Sequence, residues 1–554
     1  MGLRVAGGVV LGLLLGATAW VAATAAPQRR PALGAETTNW LAAHSLAADH
    51  DELFVDADAA RFRAAFAEGP RDVRSDPHSG VLEAPYLATR AWSWALRLFG
   101  EAGPFLLNAF ALALAALAAS YGLRAALGAA APVWLALFLF GSVAFTAVFR
   151  WQSEVLVFAA VVLAGTLAWG RESATTVAPG GQQIYGGDLA ARVALWPWPV
   201  AGLLIGAAAV RHPVYALLAL PMALDLPRAP GGGRRGWTLG LFALAVVLPV
   251  GIVAALHGAP WEAPAGRFSP ALTGWNALYF VAGRNAGLLV GFLPVVALLL
   301  APPSSGGRRY LPLVVAGAAL AQLQMAPFDW AGGSPAVGNL CFLPLYGALL
   351  FCAGPTLRLR AALLLALAAA PFLAPLWIAP LSDGAEAPGA LAPFTSGIRE
   401  RLPFETSLRD LPASAEVVRG GVRLRSTGSG LRPVPGKLAL AAPRADVLVE
   451  SDRALSSVRL DFSASAPAAL AVEGGKSGST TFRPNGEVAF EIALGSPARR
   501  HPLWWSRAPV SIYFLQLALP EAGRIGGQGP GAAAEPVTFD LGLARVAGPE
   551  AGRP

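Results

Sequence analysis

Residues 149–170 read FRWQSEVLVFAAVVLAGTLAWG. Arg150 and Glu154 stand at the head of this stretch, and no charge follows through Gly170. An apolar run with its ions gathered at one end reads as a helix that crosses a membrane and keeps its polar end near the surface. Working outward, further apolar runs occur at 5–26, 104–122, 132–149, 193–210, 213–227, 237–256, 286–301, 310–326, 339–354 and 361–380. Together they predict a polytopic α-helical membrane protein with about eleven spans.

Composition agrees. Of 554 residues, 55% are hydrophobic and 14% charged, with a mean hydropathy of +0.53. Soluble domains carry roughly 25% charged residues, so this chain cannot cover its own surface in water. Disorder, a disulfide scaffold and a fibrous repeat are excluded on the same grounds. The net charge of +8 comes from Arg, with almost no Lys. No basic-aromatic stripe of the kind that binds nucleic acid is present. The Ala, Gly and Arg bias points to a GC-rich, bacterial genome.

The first run, Val5 to Ala26, is too long for a signal-peptide core of about 7–15 residues and reads as an uncleaved span with a cytoplasmic N-terminus. On that assignment the inner connections hold Arg124, Arg171, Arg192, Arg228, Arg234, Arg235, Arg308, Arg309, Arg358 and Arg360. The short outer connections hold Arg150, Arg211, Arg267 and Arg284, so ten arginines stand inside against four outside. This obeys the positive-inside rule and predicts a multi-pass protein of the plasma (inner) membrane. Residues 27–103 form an extracytoplasmic loop with helical spacing at 39–47, 57–66 and 85–99, the last amphipathic and suited to a membrane surface. Residues 104–380 form the helical transmembrane domain.

After Pro380 the pattern changes. VVRGGVRLRS (417–426), DVLVES (446–451), SVRLDFSA (457–464), EVAFEIAL (487–494), VSIYFLQLAL (510–519) and VTFDLGLARV (537–546) alternate as strands, with turn signals such as RPNG (483–486) between. Residues 381–554 are predicted to be an extracytoplasmic, jelly-roll-like β-sandwich.

Four polar clusters fall on the outer side. Glu36, in GAETTNWLAAHSLAADHDELF, follows the first span and offers a general base near the membrane; a solvated loop acid is the plain alternative. Arg150 and Glu154 open the fourth span, where the helix N-terminus favours a carboxylate. Arg211 and His212, in AAVRHPVYALL, suit a phosphate at the interface, or simply anchor two helix ends. GRNAGLLVGFLP carries Arg284 and Asn285, and MAPFDWAGGSPAVGNLCFLP carries Asp329, Trp330 and Asn339 among glycines that let backbone approach a ligand. Trp504, Trp505 and His501 in the tail could stack on a sugar, although a buried Trp pair is the plainer reading. Cys341 and Cys352 lie in one apolar stretch and make neither a disulfide framework nor a metal site. The chain lacks a P-loop, GxSxG, HExxH and paired CxxC.

An acidic residue beyond the first span, a long outer loop, a second acid opening a later span and many further spans resemble the GT-C superfamily of membrane glycosyltransferases. Ser45-Leu46-Ala47 after Glu36, Ser153-Glu154 at a span head, and the GRNAGLL and WAGGSPAVGN…FLP pair are similar to segments of uncharacterised bacterial GT-C-like proteins. Departures are Ser153 in place of Pro, Leu340-Cys341 in place of Arg and an aromatic, and PHSGVLEAPYLATRAW in place of a His-Pro-Gly-rich turn. The resemblance implies an inverting transferase that moves a sugar from a polyprenyl-phosphate donor to a glycan, lipid or protein acceptor on the outer face. Glu36 would be the base, Glu154 would orient a substrate, and Arg211 or Arg284 would neutralise the leaving phosphate. The lipid-linked donor enters as substrate; no cofactor is certain, and a divalent metal stays open but is not indicated. Two other classes remain: a transporter or flippase of lipid-linked glycans, and a non-catalytic scaffold with a glycan-binding β-domain.

Overall fold

The computed structural model describes residues 2–31, 35–66, 69–70, 73–75, 79–170, 197–226, 235–257, 270–283, 286–300, 306–326, 330–331, 338–353 and 359–381. In the tail it describes 402, 405, 413–427, 431–434, 437–440, 444–451, 453–464, 470–475, 478–482, 486–494, 499–502, 509–518 and 538–546. The chain divides into two compact units: Met1–Pro264 with Thr273–Glu405, and Ala265–Leu272 with Thr406–Pro554.

The first unit is mostly helical. Helix α1 (Gly2–Thr24) is followed by α2 (Ala35–Ala48), α3 (Asp56–Phe66) and α4 (Tyr86–Phe99), close to the three helices read from the sequence. Then come α5 (Gly103–Gly122), α6 (Arg124–Leu127), α7 (Ala131–Phe140), α8 (Glu154–Trp169), α9 (Pro197–Arg211) and α10 (Ala219–Asp225). After them run α11 (Arg235–His257), α12 (Pro270–Ala282), α13 (Leu288–Gly291), α14 (Leu293–Leu300), α15 (Leu311–Met325), α16 (Leu343–Leu349) and α17 (Leu359–Ile378).

Among the described residues, Val5–Thr24, the Tyr86–Gly122 stretch and Gly236–Leu256 are long and apolar enough to cross a membrane. A bent pair, Gly128–Phe140 with Val143–Phe149, would make a fourth. Glu154–Trp169, Pro197–Arg211, Pro213–Asp225, Leu340–Cys352 and Leu363–Ala374 are apolar but shorter. The expected count of about eleven is not confirmed among the described residues, where several apolar runs are not unbroken helices. Residues 132–149 bend by 67°. Residues 213–227 open with a 3-10 turn, Pro213–Leu218, whose first residue lacks an N–H. Residues 286–301 split at Phe292 into α13 and α14.

Helix pairs meet through small residues. Gly202 and Gly206, four apart on α9, face the backbone of α11: a Cβ on Gly202 would sit 2.7 Å from the Phe242 carbonyl oxygen, and one on Gly206 would collide with that of Val246. Apolar helices associate through this kind of close approach, since surrounding lipid gives little hydrophobic drive.

The second unit is antiparallel β. One seven-stranded sheet has the order β1-β2-β5-β11-β7-β8, with β10 on β11; a five-stranded sheet has the order β3-β4-β12-β6-β9. The strands are β1 (Ala413–Arg419), β2 (Val422–Thr427), β3 (Leu431–Val434), β4 (Lys437–Leu440), β5 (Arg444–Ser451), β6 (Leu455–Ala464), β7 (Leu470–Gly475), β8 (Gly478–Phe482), β9 (Gly486–Ala493), β10 (Arg499–Pro502), β11 (Pro509–Ala518) and β12 (Thr538–Val546). Alternate residues of both sheets, among them Leu424, Val449 and Leu515 from one and Leu438, Leu460 and Leu541 from the other, share one buried apolar cluster. Gly420 and Gly421 both have positive φ, 60° and 78°, which lets them close the β1–β2 hairpin with Arg419 opposite Val422. The RPNG signal joins β8 and β9, which belong to different sheets; its residues 483–485 lie outside the described residues, as do Trp504 and Trp505. His501 lies on β10, opposite Val510.

Candidate functional site

The residues from Arg150 to Glu154 reach the interior because the preceding helix breaks. After α7, the Ser142 hydroxyl donates to the Phe138 carbonyl at 2.6 Å and accepts from the Ala144 N–H at 3.2 Å. The chain turns and continues as a fully buried 3-10 stretch, Val143–Phe149. Irregular backbone at membrane depth is tolerated only where protein surrounds it and answers its carbonyls. Here two asparagines do so. Asn108 Nδ2, on α5, donates to the Val148 and Arg150 carbonyls at 3.3 and 3.2 Å, while its oxygen accepts from Trp92 Nε1. Asn39 Nδ2, on α2, donates to the Trp151 carbonyl at 2.7 Å. Trp151 packs edge-on against Trp92 and Phe105.

Each end of the segment carries an ion pair. At the first, Glu36 in the opening turn of α2 is wholly buried. Its Oε1 accepts from Arg150 Nη1 at 3.3 Å and its Oε2 from Arg29 Nη1 at 2.7 Å. Arg29 also donates through Nε to the Leu381 carbonyl at 3.0 Å, so one carboxylate organises the chain beyond α1, the broken helix and the end of α17. At the second, Glu154 in the first turn of α8 is 3% exposed. Its Oε1 accepts from Arg211 Nη2 at 3.3 Å and from the Cys341 thiol at 3.6 Å. Its Oε2 is buried with no hydrogen-bond partner among the described residues. Four peptide steps separate the two pairs, a reach of at most ~14 Å along the chain.

Around Glu154 the groups come from distant parts of the chain. The Tyr215 hydroxyl donates to the Cys341 carbonyl at 2.6 Å. Asn339 is fully buried; its Oδ1 accepts from the Tyr346 hydroxyl at 3.0 Å, and its Nδ2 has no partner among the described residues. Gly338 holds φ at +84° and lies against Val143, where a side chain would not fit. Burial, and after it the charge of Arg211, push the His212 imidazole down to about 4, so it is neutral at pH 7. Its Nδ1 is buried without a partner among the described residues. The Arg211 side chain is 34% exposed, so this cluster reaches the protein surface.

Of the residues singled out from the sequence, the structure joins Glu36 with Arg150, and Glu154 with Arg211. Trp330 is fully buried, set edge-on to Phe280 and Phe342, and offers no open ring face. Arg284 and Asp329 lie outside the described residues. Arg29, Asn39, Asn108, Tyr215 and Cys341 were not legible as site residues. An Asn or Cys inside an apolar run carries no partner in its own spacing; only the unusual polarity of Asn108 within α5 hinted at a role. Among the described residues no group of three or more His, Cys, Asp or Glu is placed to hold a metal ion.

The sequence matches no protein-family model and no curated protein. Among solved structures it is similar to the crystal structure of ArnT from Cupriavidus metallidurans bound to undecaprenyl phosphate. The identity is 15%, the TM-score 0.38, and the match covers 71% of this chain and 75% of that one. A likeness of that size carries no argument about mechanism, so the function has to be reasoned from the geometry of the site.

Proposed function

We propose that this chain is a membrane glycosyltransferase of the GT-C kind, moving a sugar from a polyprenyl-phosphate donor to a glycan, lipid or protein acceptor at the outer face of the plasma membrane. The observation that carries this reading is the Glu154 carboxylate, buried in the first turn of the apolar helix α8, with one oxygen held by Arg211 and the other without a partner among the described residues. A buried acid with an oxygen to spare beside a cation that reaches the surface can take a proton while the cation faces an anionic leaving group.

In this reaction the acceptor oxygen forms a bond to the sugar's anomeric carbon on the face opposite the donor. The bond from that carbon to the phosphate oxygen breaks, and its electron pair leaves with the polyprenyl phosphate. The acceptor proton passes to Glu154 Oε2. Arg211 stabilises the departing phosphate, with Arg284 as a second cation. His212, neutral, offers a hydrogen bond without adding charge. Asn339 orients the sugar through Nδ2.

In this reading the base is Glu154 rather than the Glu36 of the sequence expectation. Glu36 has both oxygens engaged by guanidinium groups, so it is a poor proton acceptor and acts by holding Arg150 and the broken helix in place. The test compares Glu154→Gln with Glu36→Gln in the full chain, supplied with polyprenyl-phosphate-linked sugars. Glu154→Gln is expected to abolish transfer, with a loss of about 100-fold or more. Undiminished transfer by that variant would reject the assignment. The sealed state of Glu36 also suits the non-catalytic scaffold, in which no donor is consumed at all. That reading gains if the wild-type chain binds glycan through residues 406–554 and transfers nothing.

A further inference from the structure

The function of Cys341 was not visible in its sequence context, where it looked like a small apolar filler. Its thiol donates to Glu154 Oε1, the same oxygen that Arg211 engages, and Glu154 Oε2 is the atom left without a partner. The turn that carries the thiol, Leu340–Phe342, is itself held: Tyr215 donates to the Cys341 carbonyl, and Tyr346 fixes Asn339 two residues earlier. Asn339 Nδ2 is a second buried polar atom without a partner, on the same turn. The spare acceptor on Glu154, on a side chain more than nine-tenths buried, calls for a ligand group that donates, as a hydroxyl does.

We propose that Cys341 is a positioning residue for the sugar-transfer site: its thiol and Arg211 together hold one oxygen of Glu154 so that the other faces the acceptor hydroxyl. This rests on the transferase reading. The physical reason is rotational. A carboxylate gripped through a single contact can turn about its terminal torsion, which is broad. A second donor on the same oxygen removes that freedom and keeps Oε2 aimed. A thiol suits the task because it is a weak donor that packs as an apolar group, so it steers the carboxylate without adding a second charge beside it.

The test uses the full chain in lipid nanodiscs with Cys352→Ser, which leaves Cys341 as the sole thiol of a two-cysteine chain. The infrared S–H stretch, a region free of other protein bands, reads the contact directly. Glu154→Gln is expected to move that band to higher frequency, since a neutral amide accepts more weakly than a carboxylate; an unmoved band overturns the contact. In turnover, Cys341→Ala is expected to lower kcat about tenfold with KM little changed, and Cys341→Ser, which keeps a donor, to recover to within about threefold of wild type. Equal kcat for Cys341→Ala and wild type overturns the positioning role. Should wild type move no sugar, the transferase reading fails, and labelling of Cys341 by methyl methanethiosulfonate with and without undecaprenyl phosphate still decides whether the thiol borders a ligand. Slower labelling with the lipid phosphate supports the placement, and an unchanged rate overturns it.

Discussion

Glu36 Oε1 lies 3.3 Å from Arg150 Nη1, across 114 residues of chain, with both side chains at most 2% exposed. With Arg29 on the other oxygen, this is a buried Arg–Glu–Arg arrangement. Such groups add little net stability relative to apolar packing, but removing one member is costly because buried charge loses its counterpart. Glu36→Ala is therefore expected to cost about 3–5 kcal/mol. Replacing both Glu36 and Arg150 by apolar residues should cost less than the sum of the single changes. Thermal unfolding in detergent of the two single variants and the double variant checks this, and strict additivity would show that the pair does not interact.

Asn108 answers two carbonyls of the broken helix and one indole N–H. Asn108→Leu keeps the volume and deletes all three partners. Leaving buried polar groups unsatisfied costs about 1–3 kcal/mol each, so the variant should be markedly less stable than wild type. If Glu154 depends on the segment it heads, transfer activity should fall as well. A variant as stable as wild type would mean that other groups satisfy those carbonyls.

The α9–α11 contact should tolerate no enlargement. A Cβ at Gly206 would meet backbone oxygen, which cannot move aside as a side chain can. Overpacking of this kind costs typically about 1–3 kcal/mol, and Gly206→Leu is expected at or above that range. Gly251→Leu, on the partner helix α11 but with open space around its Cβ, is the control and should melt near wild type. A comparison of detergent melting midpoints is sufficient.

His212 gives a pH dependence of defined sign. Its folded value of about 4 lies below the ordinary 6.5, so the native state favours the neutral ring. The unfolded chain then binds the proton more readily. The stabilising contribution is fully present above pH 6.5 and is lost as pH falls from there toward 4, by at most about 3 kcal/mol. Wild type should therefore lose more stability between pH 7 and pH 4.5 than His212→Asn does. Parallel loss in the two proteins would place the ring in an environment less buried than the structure shows.

Much of this was visible in the order of residues. Charge poverty and repeated apolar runs announce a membrane chain, because a surface without ions cannot face water. Period 3.6 placed α2, α3 and α4 to within a few residues, and alternation with the Gly420-Gly421 pair placed the β1–β2 hairpin. These are local signals, set by backbone geometry and by the need to hide apolar area. Span count was less legible: a hydrophobic run such as 132–149 looks continuous, yet Gly141 and Ser142 let it bend, and hydropathy does not register a bend. The surroundings of the two acids were beyond the sequence altogether. Glu36 and Glu154 each stand in the first turn of a helix and look alike in one dimension. Only the tertiary packing decides that Arg29 and Arg150, seven and 114 residues away, close over Glu36, while Glu154 keeps an oxygen without a partner among the described residues beside Arg211 and Cys341.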